Sequence, residues 1–420
     1  MSNNVKEAVK DKSKARILLG AAFIMAISAV GPGFLTQTAR FTAAHGASHG
    51  FIILMSLALG IGVQLNVWRI IGVSGMRGQD IGNKVIPYFG WVLMVLIVIG
   101  GFAFNIGNVG GAAMGLNALL NVPPNEGYWI ACLLAIFVFI SKSKTVIDWV
   151  MKILGVAMIL IVVGVMFRTA PPVGEAAFRT VWPEVGGNIA GITVFFFPIM
   201  TYLGGTVGGY ITFSGAHRLL DADISGKDNL KKITVSSVQG ISIATLMRIV
   251  LFLAIFGVIA AGSYIAIEDP NPAATAFRYG AGMIGYRFFG AVLLVAGLTS
   301  IIGAAYTSVT FIKTLFKVVD KYENYFVIAM IVISTMIMRV VGSPAQMLVV
   351  VGFLNSLILP FTLTTVLLAS RRKDIVGEDY KHPLWLTIFG IVIIVTVIVF
   401  VIFGGQLMNL INLIVGAMGA

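Results

Sequence analysis

Repeated apolar runs of about 20 residues, each nearly free of charge, decide what this 420-residue chain can fold into. A run of that length crosses roughly 30 Å of hydrocarbon as a helix. The hydrocarbon offers the backbone no water, so each segment must bond within itself. The period-two alternation of a membrane barrel is absent, which leaves an all-α polytopic membrane protein. Composition agrees: 58% of residues are hydrophobic and 11% are charged, with a mean hydropathy of +0.97. Soluble domains carry about 25% charged residues.

Eleven spans are expected, at roughly 17–45, 50–73, 88–118, 126–141, 145–167, 188–218, 236–262, 284–315, 325–341, 344–369 and 383–405. Residues 1–16 form a polar N-terminal segment, and 17–420 form one transmembrane domain. The net charge of +12 arises mainly in short loops, where it reads as an orientation signal and not as a nucleic-acid footprint. Most of the 29 Lys and Arg fall in the N-terminus and in alternate loops (69–84, 142–152, 218–232, 313–321, 371–381). That bias puts the N-terminus in the cytoplasm and, with eleven spans, the C-terminus outside. The basic flank before Ile17 also fits a secretory signal, but the apolar run continues too far past Ala26–Ala29 for that reading. Cys132 is alone, so no disulfide or cysteine metal cluster is expected. No phosphate-binding Gly-rich loop of the ATPase type is present, which argues against an enzyme or an ATP-driven pump, and no cofactor is expected. Gly280-x-Gly282-x-x-Gly285 formally fits a dinucleotide fingerprint, yet it opens a membrane span with no strand before it.

Two spans are interrupted by glycine and proline. The first reads Gly31-Pro32-Gly33-Phe34, and the sixth reads Gly204-Gly205-Thr206-Val207-Gly208-Gly209-Tyr210. Proline removes a backbone donor and glycine loosens a helix. Breaks five spans apart indicate two five-helix repeats of opposite topology, about 17–167 and 188–369, followed by an extra span at 383–405. The competing reading is that glycine only permits close helix packing, as at Gly107, Gly110 and Gly111.

None of the 17 carboxylates lies deep in a span. Asp80, Glu126, Asp148, Asp221, Glu268, Asp320 and Asp374 all sit in loops or at span ends. Hard dications need oxygen or nitrogen ligands and usually a compensating charge, so no metal site is expected.

The stretch Leu19–Val30, the Pro32-Gly33 pair and Asn355–Phe361 followed by Arg371-Arg372-Lys373-Asp374 resemble the NRAMP (SLC11) divalent-metal transporters. The resemblance implies the LeuT-type inverted-repeat fold with helices 1 and 6 broken. The family's first break carries a metal-binding Asp and Asn, where this chain has Gly31 and Phe34. Its sixth span carries Met-Pro-His-Asn, where this chain has Gly208-Gly209-Tyr210-Ile211. A further family histidine falls near Gly215. The chain thus resembles a divergent bacterial branch, associated with genes for 5-oxoproline breakdown. That resemblance implies an organic-acid cargo and a multi-pass place in the bacterial inner membrane.

The polar residues beside the breaks form the expected substrate site. They are Thr36, Gln37 and Thr38 beside Gly31 and Gly33, and Thr206, Tyr210, Thr212 and Ser214 beside Gly208 and Gly209. Broken helices present positive N-terminal ends near the midplane, which suits a carboxylate or amide. Each hydroxyl alone equally fits a bond back to its own helix. Asn105 and Asn108 share a face of span three, and Asn355 lies in span ten. They line the path or bond neighbouring helices. Arg40 attracts an anion in the outer vestibule or snorkels to the interface. Arg248 is read as snorkelling or capping carbonyls, and His45, His49 and His217 as interfacial. Thr299 and Ser300, with His217, are candidates for handling a coupling Na⁺ or H⁺. The expectation is a secondary active transporter moving a small solute by alternating access within the lipid bilayer, a symporter of an organic acid. The alternative is a proton-coupled Mn²⁺ or Mg²⁺ transporter; a membrane receptor on the same scaffold is a third reading.

Overall fold

The computed structural model describes residues 30–141, 159–185, 189–221, 223–313 and 316–403. The expected N-terminal segment, the first half of span one, the start of span five and the tail after Gly405 lie outside the described residues. Among the described residues every regular element is helical.

Helix α1 (Pro32–His45) is 14 residues long, about two-thirds of the hydrocarbon thickness. Proline occupies its first turn, where a missing N–H costs nothing. A 3₁₀ turn at Gly46–Ser48 leads into α2 (His49–Ser74), which ends on the left-handed Gly75. Then come α3 (Gly78–Val85), α4 (Phe89–Leu120), α5 (Pro124–Ser141), α6 (Ile159–Thr169) and α7 (Val173–Val181). The axes of α6 and α7 differ by 103°. Span six divides into α8 (Phe196–Thr206) and α9 (Tyr210–Asp221). Helix α10 (Leu230–Ala260) precedes α11 (Pro272–Lys313), which contains a corner at Ala281–Gly282. The rest are α12 (Lys317–Lys321), α13 (Glu323–Val341), α14 (Pro344–Ser356), α15 (Leu359–Ala369), α16 (Lys373–Val376) and α17 (Leu384–Phe403).

Eight described helical stretches are long and apolar enough to cross a bilayer, and the α6–α7 pair makes up to nine. The stretch Leu384–Phe400 is shorter. The expected eleven spans are therefore not all established, because α1 and α2 run on as one stretch and half of span one lies outside the described residues. The expected break in span six is present at Val207–Gly209, and α1 starts at Gly31–Pro32, where the break in span one is expected. Span ten is broken as well, at Leu357–Ile358, where Pro360 opens α15. Span eight begins close to the expected residue 284, just after a corner where Gly282 turns the chain at φ 67°; residues 272–280 form a separate short helix before it.

Without a hydrophobic drive between helices in lipid, close packing rests on small residues. Helices α4 and α11 meet at Gly115 and Gly290, where a Cβ on Gly290 would sit 2.7 Å from the Leu119 amide nitrogen. Helices α8 and α14 meet at Gly204 and Gly352, where a Cβ on Gly352 would sit 2.8 Å from the Thr201 carbonyl. The second contact clamps the two broken segments of repeat two against each other beside Gln37.

Candidate functional site

The breaks in spans one and six face a common small cavity. Its floor is glycine backbone, from Gly31, Gly33 and Gly205, and its walls are Phe34, Phe104 and Ile211. Gln37, Asn108, Tyr210 and Ser300 supply the polar groups. It encloses about 20 Å³, room for about one water. This lining contains no carboxylate, imidazole or sulfur. Among the described residues no three His, Cys, Asp or Glu come together as a metal site would need. The side chains that line it are all uncharged.

Both half-helices begin at this cavity. Gly31 caps α1 without a side chain, so the first amides of α1 keep their donors open at the positive end of the helix. Helix α9 starts at Tyr210, after Gly209 turns the chain at φ 52°. Gln37 is anchored by its Nε2–H, which donates to the Leu348 carbonyl at 2.8 Å, while its Oε1 has no partner. Asn355 donates Nδ2–H to the carbonyls of Gly100 and Val351, and its Oδ1 is likewise unpartnered. The hydroxyls of Thr36 and Thr212 and both polar atoms of Asn105 are buried without partners. Buried polar groups are normally bonded, and Gln37, which lines the cavity, keeps its Oε1 free for a solute or water.

Of the expected site residues, the structure brings Gly31, Gly33, Gln37, Asn108, Tyr210 and Ser300 to one cavity. A Cβ on Gly209 would fall on the Asn355 Oδ1, which joins those two residues at the break. Thr38, Ser214 and Thr299 bond back to the carbonyls of Phe34, Ile211 and Val295. Thr206 ends α8, and Gly208 packs against Gly204 and the Asn355 carbonyl. Arg40 lies elsewhere, in a cavity of about 210 Å³ that it shares with His45, Phe197, Ile267, Gln346 and others. His217 also lies apart from the central cavity, buried against Phe213 and Phe311, and its Nε2 accepts the Gly78 N–H at 3.1 Å. Its bonding secures α3 to α9.

Sequence reasoning missed the cluster behind Phe34. His49 is fully buried, not interfacial. Thr42 donates its hydroxyl to the Thr38 carbonyl at 2.6 Å, so His49 Nδ1–H donates to Thr42 Oγ1 at 2.8 Å. His49 Nε2 then accepts the Tyr202 hydroxyl at 2.6 Å, which describes a neutral imidazole. Arg248 does not snorkel: it is 4% exposed, with its guanidinium 3.7 Å from the Tyr202 ring centroid and 4.2 Å from that of Phe34. A charge in the middle of an apolar span was the available signal. Its direction was not, because span seven has no clear polar face.

The family model described as "Natural resistance-associated macrophage protein-like" (Nramp) matches residues 22–404. An uncharacterized membrane protein of Bacillus subtilis, YcsG, is 49% identical over 400 residues, covering 95% of this chain and 96% of its own. A second uncharacterized membrane protein, from Haemophilus influenzae, is 50% identical over 384 residues, covering 91% and 94%. Among solved structures, the Eremococcus coleocola manganese transporter superposes with a TM-score of 0.70 at 15% identity, covering 97% of this chain and 93% of its own. MhsT in complex with L-phenylalanine superposes with a TM-score of 0.65 at 15% identity, covering 90% and 97%.

Proposed function

From the premise that this chain belongs to the Nramp family and folds as a LeuT-type membrane transporter, we propose that it carries a small organic acid of the 5-oxoproline type. The observation that carries this reading is the lining of the central cavity: glycine backbone, two carboxamides and two hydroxyls among aromatic walls, with no anionic ligand. Two helix N-termini add positive potential at the same place, which favours a carboxylate and opposes a dication. A manganese transporter and an amino-acid-bound MhsT share the fold, so the fold accepts both kinds of cargo and the lining chemistry must decide.

Transport proceeds by alternating access. The central cavity has room for about one water, so it must widen to admit a solute. The larger cavity at Arg40 is the outer vestibule, where a cation concentrates anions before they reach the breaks. Movement of α1 and α8–α9 about their glycine breaks enlarges the centre and opens it to one side at a time. Ser300, which reaches the cavity from α11, is the best placed of the expected ion-coupling residues.

The test is uptake into proteoliposomes of labelled 5-oxoproline and, separately, of Mn²⁺, with H⁺ and Na⁺ gradients imposed in turn. Saturable uptake of the organic acid, driven by one of these gradients, is expected. Saturable Mn²⁺ uptake without uptake of any small carboxylate would overturn the proposal and return the chain to its family's usual cargo.

A further inference from the structure

We infer that Arg248 is the residue that receives the substrate carboxylate, and that the Phe34 ring is a movable cover between it and the central cavity. This rests on the organic-acid reading given above. It adds the point of recognition and narrows the substrate class to small monoanions.

Arg248 is a permanent cation held in an apolar interior. Buried ions are ordinarily paired, because burial strips their hydration. Among the described residues no carboxylate pairs with it, and Nε and Nη2 have no hydrogen-bond partner. What holds it is the face of Tyr202 on one contact and the face of Phe34 on another. Ring faces attract a guanidinium but leave its in-plane donors unused. The two unused atoms are informative. Nε and Nη2 share one edge of the guanidinium, and their N–H groups point in parallel, the geometry that takes both oxygens of one carboxylate.

The position of Arg248 beside Phe34 relates it to transport. Phe34 contacts Arg248 and also lines the central cavity. It stands at the first break, at the start of α1, where the positive end of the helix adds to the attraction for an anion. The present cavity is too small for an organic acid, so binding requires a wall to move. A swing of Phe34 enlarges the cavity and uncovers the guanidinium in one step. A single carboxylate neutralises the single cation, whereas a dianion would leave an uncompensated charge in the membrane interior. The unpartnered Oε1 of Gln37 then accepts an N–H from the substrate. The favoured ligand is a small monocarboxylate with an uncharged N–H near the acid.

The test compares 5-oxoproline with its neutral carboxamide in equilibrium binding to purified wild type, Arg248→Gln and Arg248→Lys. Wild type is expected to prefer the acid by about tenfold or more, as a charge-assisted pair of bonds implies. In Arg248→Gln that preference should collapse, with acid affinity falling about tenfold or more and amide affinity nearly unchanged. Arg248→Lys keeps the charge but not the two-point edge, and should fall between. A merely structural arginine would lower the melting temperature and leave the preference intact. If Arg248→Gln does not purify, Arg248→Lys carries the test alone, and unchanged acid affinity overturns the inference. Acid binding equal in wild type and Arg248→Gln rejects the role of Arg248 but leaves the organic-acid reading standing. No acid binding by wild type, together with Mn²⁺ binding, rejects both.

Discussion

Gly209 turns its Cα onto the side-chain oxygen of Asn355, and no room remains between them for a Cβ. Gly209 also holds φ at 52°, in the left-handed region where a side chain costs about 1–2 kcal/mol. The break in span six and the break in span ten are thus fitted to each other at this contact. Any residue larger than glycine must displace Asn355 and with it the bonds to the Gly100 and Val351 carbonyls.

Gly209→Val is accordingly expected to abolish uptake, and Gly209→Ala to reduce it severely. The contact is local and most helix packing lies elsewhere, so both variants should elute as monodisperse species with a lowered melting temperature. Uptake in proteoliposomes with gel filtration alongside checks this; full uptake by Gly209→Val would remove the span-six break from the binding site.

Arg40 should act at a distance. It borders the 210 Å³ cavity and does not touch the central site. Replacement by alanine is expected to raise the half-saturation concentration for the anion about three- to tenfold at low salt, with lysine close to wild type. Raising salt to about 0.5 M should erase most of the difference, because screening shortens the reach of the charge. A defect of Arg40→Ala that persists unchanged at high salt would indicate direct contact with the solute.

Outside the membrane spans, His382 links the last helix to α2. Its Nε2 meets the Asn66 Oδ1 at 2.9 Å, and its Nδ1 meets the Tyr380 hydroxyl at 2.8 Å. Burial, reinforced by the nearby Arg69, pushes its pKa down to about 4 from 6.5. The unfolded chain therefore binds a proton between pH 6.5 and about 4 that the folded chain refuses. The contribution of His382 to stability is full above pH 6.5 and is lost as pH falls toward 4. Melting temperature should drop over that window, and His382→Gln should flatten part of the drop. An identical pH profile in the variant would show that the loss arises elsewhere.

A further expectation concerns metal. With glycine, phenylalanine, carboxamides and hydroxyls at the breaks, no saturable Mn²⁺ site in the micromolar range should appear in calorimetric titration of the purified protein. Observation of such a site would mean that backbone carbonyls or hydrated-ion binding replace the missing acid, amide and thioether ligands.

Much of this architecture was legible in the sequence, and what escaped it has a physical pattern. Apolar runs announce helices because hydrocarbon leaves the backbone no other partner. The Gly31-Pro32-Gly33 run announced the start of α1, and the glycines at 204–209 announced the break in span six. The break at Leu357–Ile358 went unread even though Pro360 signalled it, because proline at the first turn of a helix looks the same in sequence as a mild kink. The Gly280–Gly285 stretch is no nucleotide loop: Gly282 turns a corner between two helices. Helix rotation was the main thing hidden. Spans seven and eight are apolar all round, so sequence could not say that Arg248 looks at Phe34, or that Ser300 reaches the cavity while Thr299 does not. His49 looked interfacial because it stands at a span end, but the turn at Gly46–Ser48 folds it back beneath Tyr202.

The central claim is that the paired breaks hold an organic anion. It is tested most directly by a density map of the purified protein in a bilayer disc with saturating 5-oxoproline. The account predicts new density between Pro32 and Gly208, in contact with Gln37, with the Phe34 ring displaced and the carboxylate on the Nε–Nη2 edge of Arg248. A map with the cavity unchanged and Phe34 still covering Arg248, at a concentration that saturates uptake, would contradict it.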